Sequence, residues 1–177
     1  DISLTTLDSD GFEESILFSI TGGYTIPLTE RLSHNGAIGF GELSILHLSV
    51  DPSHAFEEIS ADHELLKLLA DIAAEHDLPI DIHMDPVLDD MSLPELFAEM
   101  DTQNPDTIKA NIGDFEELLE HNRDARIVWA HTANTTGDFT PELLTKLLED
   151  HPNLFLSIRL DPSNNEDSIS ILDQSGM

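Results

Sequence analysis

The sequence predicts an α/β domain of about five parallel strands flanked by helices. Short apolar or alternating runs read as strands: AIGFGEL at 37–43, PIDIHM at 79–84, RIVWAH at 126–131 and LFLSIRL at 154–160. Segments with helical spacing lie between them. This alternation from 37 to 160 is the pattern of right-handed crossovers joining parallel strands. No linker or compositional break divides the chain. One domain is expected over 1–177, with an irregular start and one strand over 1–36, regular units over 37–160 and a polar tail over 161–177.

Each element has its own warrant. SILFSI at 15–20 is a short apolar run, broken by Thr21-Gly22-Gly23-Tyr24. Asn35-Gly36 marks a turn before the strand at 37–43, whose Gly39 and Gly41 permit close approach of backbone or ligand. Over 62–76, Leu65, Leu66, Leu68, Leu69, Ile72 and Ala73 share one helix face, with Asp62 as the expected N-cap. Asp77 and Pro79 end that helix. Along 79–84 and into the next residue, Ile80, Ile82 and Met84 occupy one face, and Asp81, His83 and Asp85 the other. Ser92-Leu93-Pro94-Glu95 spells a capping box for a short second helix. Asn111 is placed to cap a third helix through His121, with Ile112, Phe115, Leu118 and Leu119 inward. Thr140-Pro141-Glu142 opens a fourth, carrying Leu143, Leu144, Leu147 and Leu148.

The charge is extreme. Asp plus Glu number 36 against 7 Lys plus Arg, a formal charge of −29 over 177 residues. Self-repulsion on this scale destabilises the compact state unless salt screens it. A halophilic, cytoplasmic origin is expected, with stability rising from low to molar salt; an acidic mesophilic protein is the alternative. The same charge repels nucleic-acid phosphates and anionic membrane surfaces. No run approaches the ~18 apolar residues that cross a bilayer. With no cysteine, there is no disulfide, thiolate metal site or cysteine nucleophile.

The strand ends carry ionisable residues. Glu42 closes the first regular strand, His83 the next and His131 the third, and Arg159 lies near the end of the fourth. In parallel β/α folds, such positions face the ligand site. Neutral imidazoles with a carboxylate suit a zinc-like divalent ion. His131 shares strand parity with Ile127 and Trp129, which equally fits a core histidine. Asp81 is expected to be a buried hydrogen-bonding partner. His47 is an outside candidate; His34, His54, His63, His76, His121 and His151 read as surface residues. His63-Glu64-Leu65-Leu66-Lys67 misses the two-histidine helical zinc motif, and no G-x-S-x-G or phosphate-binding loop occurs. Asp8-Ser9-Asp10-Gly11 is half of a calcium loop whose closing position falls on Leu17, so it reads as a turn.

The segments GAIGFGELSILHLS, LADIAAEHDLPIDIHMD, NIGDFEELLEHNRDARIVWAHT and TPELLTKLLEDHPNLFLSIRL, spanning 36–160, resemble the amidohydrolase-related group of metal-dependent hydrolases. The resemblance implies a TIM-type β/α barrel, with a metal held by an H-x-H pair on its first strand, a His on the fifth and an Asp on the eighth. Carried across, His83 resembles the fifth-strand metal ligand. His131 resembles the sixth-strand His, which assists catalysis or joins the metal. Glu42 is expected to shuttle a proton, and Arg159 to meet an anionic group on a small-molecule substrate. The implied cofactor is a divalent metal, zinc by preference, and the implied reaction is attack of activated water on a carbonyl-type carbon, with decarboxylation as a relative. The chain has no H-x-H and reaches Met177 before any eighth strand. It therefore reads as the central part of such a barrel, expected to bind metal weakly and to lack turnover alone. Exposed sheet edges would favour a homo-oligomer. The alternative is a non-catalytic partial α/β module for binding or assembly.

Overall fold

The computed structural model describes residues 2–7, 13–18, 38–51, 55–100, 103–132 and 140–157. Its centre is a seven-stranded sheet of order β2-β1-β3-β5-β8-β9, with β4 paired to the side of β3. These strands are β1 (Ile2–Leu7), β2 (Glu13–Phe18), β3 (Phe40–His47), β4 (Glu57–Glu58), β5 (Pro79–Met84), β8 (Arg126–Ala130) and β9 (Leu154–Leu156). β3, β5, β8 and β9 run parallel, whereas β1 and β4 pair antiparallel to β3. The fold is thus α/β with a mostly parallel core. The sheet is not closed among the described residues; β2 and β9 lie at its two ends.

Helices α1 (Glu64–Glu75), α3 (Ile112–His121) and α4 (Pro141–Asp150) supply the crossovers. Ile80, Ile82 and Met84 of β5 and Ile127 and Trp129 of β8 pack with Leu66 and Ala70 of α1 and Phe115 and Leu118 of α3 in one buried cluster. Phe115 meets Trp129 edge-on at 5.3 Å between ring centroids, the favourable geometry for an aromatic pair. The predicted periods of 2 and 3.6 are those observed. No helix among the described residues is long and apolar enough to cross a membrane.

Several boundaries differ from expectation. β3 begins at Phe40 and runs on to His47, so Glu42 lies inside it rather than at its end. The α1 N-cap is His63, not Asp62: its Nδ1 accepts from the Leu65 amide at 3.2 Å. Leu93 precedes Pro94, which disfavours helical backbone there. Accordingly Met91–Ser92 form β6, paired antiparallel with β7 (Thr107–Ile108), and the short helix α2 spans Glu95–Met100. Asn111 stands at the start of α3 without capping it. Its side chain instead accepts from the Val87 amide at 2.9 Å and donates to the Asp85 carbonyl at 2.8 Å. His151 is 2 % exposed beside Glu116 rather than on the surface. The expected strand at 15–20 coincides with β2 over 15–18, with β1 as an added partner; residues 19–20, and the ends of the expected strands at 37 and 158–160, lie outside the described residues. The turns at 8–11, 21–24 and 35–36, the tail at 161–177, His34, His54 and Arg159 lie outside the described residues.

Candidate metal centre

Three neighbouring parts of the sheet bring Glu42, His83 and His131 together. One donor atom from each lies within 4.8 Å of the other two. Glu42 bridges the histidines: its Oε1 is 3.0 Å from His83 Nδ1 and its Oε2 is 3.2 Å from His131 Nε2.

Each side chain is placed by a local feature of the backbone. In β3, Phe40 pairs with Ile80 but Leu43 with Ile82, and Ser44 with His83 but Leu46 with Met84. Two bulges therefore shift the register, and bulges re-aim side chains. The first contains Gly41 and Glu42. A Cβ on Gly41 would lie 2.5 Å from the Asp81 Cβ, so only glycine fits where β3 crosses β5 so closely. His83 follows the alternation of β5: Ile82 and Met84 are buried in the core, and His83 faces the other side of the sheet. His131 departs from alternation. Its φ of +53° turns the chain out of β8, so the side chain leaves the core face of Trp129 and meets Glu42.

The end of β5 is held firmly. Trp129 Nε1 donates to the Met84 carbonyl at 2.9 Å, and the Asp85 amide donates to the Leu46 carbonyl at 2.9 Å. With the Asn111 bonds, these fix the backbone beside His83.

The site mixes two kinds of electrostatic pressure. The Glu42 carboxyl is held below its ordinary range, first by the His83 hydrogen bond and then, against burial, by the nearby imidazoles. Burial is the largest influence on His83 and opposes its charging. The Glu42 hydrogen bond and the charges of Asp85, Glu42 and Glu57 together outweigh it, so the ring titrates above its ordinary value. Burial, with the Glu42 charge, pushes the Asp81 carboxyl up. Asp81 Oδ1 is buried without a hydrogen-bond partner among the described residues, contrary to its expected bonding role. His83 Nε2 is likewise buried and unbonded, with Asp85 Oδ2 at 4.0 Å.

His47, the weakest sequence candidate, lies against the centre, its ring 4.9 Å from that of His83. Its Nδ1 lies 3.3 Å from the Ala55 carbonyl. It follows Glu42 by five residues, an odd spacing that puts the two on opposite faces of a regular strand; a register shift between Ser44 and Leu46 intervenes. Two imidazoles and a carboxylate whose donor atoms lie within 4.8 Å of one another form a donor set of the kind that holds zinc-class ions. Comparison with protein families, curated proteins and solved structures finds no match.

Proposed function

We propose that the chain carries the metal centre of an amidohydrolase-type hydrolase, with its sheet forming the central arc of a β/α barrel. The convergence of Glu42, His83 and His131 supports this most directly. His83 and His131 stand at the C-terminal ends of parallel strands, where α/β folds bind ligands. The absence of an H-x-H pair implies weak binding and no turnover. Glu42 changes that expectation, because it adds a third donor in place of the proton shuttle first assigned to it.

When bound, a zinc-class ion lowers the pKa of water to about 7 and polarises a carbonyl oxygen. The protein's own groups do the rest. His83, with 18 % of its side chain exposed, is the more enclosed anchor. His131, at 39 %, reaches the more open side and is placed to donate to an oxyanion developing on a substrate. Before an ion binds, the two Glu42 oxygens hold both imidazoles in fixed orientation. Recognition of an anionic substrate group by Arg159 belongs to the same proposal, although Arg159 lies outside the described residues.

The two hydrogen bonds that Glu42 accepts from the imidazoles favour a second reading, in which Glu42, His83 and His131 form an acid–base relay without an ion. Hydrolysis of a panel of small esters, amides and lactones separates the two. The metal proposal expects turnover that chelation abolishes and zinc restores, with a loss of about 100-fold in His131→Ala. Turnover indifferent to chelation favours the relay. Zinc binding with no hydrolysis of any panel member contradicts the hydrolase proposal.

A further inference from the structure

His83 has two ring nitrogens in different surroundings. Nδ1 faces Glu42 Oε1 at 3.0 Å, on the side shared with His131. Nε2 is buried and unbonded among the described residues, and Asp85 Oδ2 stands 4.0 Å away. That carboxylate is itself anchored. Its Oδ2 accepts from the Leu48 amide at 3.0 Å, and the Asp85 backbone is tied on both sides, amide to Leu46 and carbonyl to Asn111. Asp85 is 16 % exposed at its side chain, so little water competes for it.

A histidine that ligates through one nitrogen carries its proton on the other, and an acceptor there fixes both tautomer and ring orientation. We propose that Asp85 is the positioning residue of His83: it accepts a hydrogen bond from Nε2–H, so that Nδ1 is the nitrogen given to the metal. The inference rests on the metal centre proposed above. In the metal-free neutral ring, the 3.0 Å contact places the proton on Nδ1, donating to Glu42. Metal loading then breaks the Nδ1–H bond and forms Nε2–H, with no change in the ring's proton count. His83 is thereby a tautomer switch with Glu42 at one pole and Asp85 at the other.

The test is nitrogen-15 NMR of histidine-labelled full chain in molar KCl, at a pH where the ring is neutral, with and without zinc. Long-range proton–nitrogen couplings report which nitrogen carries the proton, and His83→Gln assigns the signal. The expected result is Nδ1–H without metal and Nε2–H with zinc. Asp85→Asn, which keeps an oxygen for the Leu48 amide, is expected to weaken zinc binding roughly 10- to 100-fold. Zinc bound with the proton retained on Nδ1 overturns the inference and leaves the metal centre standing. Zinc that fails to bind the unaltered chain overturns both. The tautomer measurement on the unaltered chain decides the matter even if the Asp85 variant does not fold.

Discussion

At the scale of single residues, the centre depends on backbone exceptions rather than on regular structure. Gly41 lets β3 and β5 approach so closely that a Cβ would overlap Asp81. Gly41→Ala is therefore expected to cost about 1–3 kcal/mol, as overpacking does. Gly113 is the control: a Cβ there, in helix α3, meets nothing within 4 Å. Gly113→Ala is expected to stabilise by about 0.5–1 kcal/mol through backbone entropy. Urea unfolding of both variants should give opposite signs; equal signs would mean that the tight crossing is not present in solution. His131 is the other exception. Parity along β8 pointed it toward the core, and only its left-handed backbone brings it to Glu42. Alternation cannot foresee a residue that leaves its strand.

Among the elements, those with an uninterrupted period were legible and those with a broken period were not. Helices α1, α3 and α4 announce themselves through leucine spacing, and β5 and β8 through apolar alternation bounded by helix ends. The two bulges of β3 put Glu42, Ser44 and His47 out of phase with a simple strand, so alternation marks it only as far as residue 43 although it runs to His47. The β6–β7 ribbon was hidden because two-residue strands carry no period, while Pro94 set the true start of α2. Contacts between helices were not legible at all. Asp71 of α1 lies 3.1 Å from His121 Nε2 of α3 and accepts from Asn122 at 2.9 Å. The Asn122 bond, and then His121 against slight desolvation, lower the Asp71 carboxyl below its ordinary 3.8. A lowered acid stabilises the fold above its unfolded pKa and loses that contribution as pH falls through the folded one. Asp71→Asn is thus expected to cost roughly 0.5 kcal/mol near neutral pH, the scale of an exposed pair. That difference should vanish as the pH falls below 3.8. A difference independent of pH would show that the charge contributes nothing.

For the whole molecule, charge sets the conditions under which the fold is stable. The formal charge of −29 makes stability a function of salt. Molar KCl shortens the screening length to about 3 Å, so the melting temperature should rise steeply between low and molar salt; a flat profile would count against halophilic adaptation. The α/β class and the parallel run of β3, β5, β8 and β9 are readable from the alternation of strand and helix; their order in the sheet is not, because doubly wound and barrel arrangements share that alternation. Whether that run belongs to a closed barrel is not readable either, because closure depends on strands that no local pattern specifies. The centre itself needs only β3, β5 and the turn after β8. Zinc titration by calorimetry in molar KCl, on the unaltered chain and on Glu42→Gln, His83→Ala and His131→Ala, tests it most directly. The expected result is one site tighter than micromolar that each substitution abolishes or weakens severely. Binding no stronger than that of scattered surface carboxylates, or a tight site indifferent to all three substitutions, would contradict it.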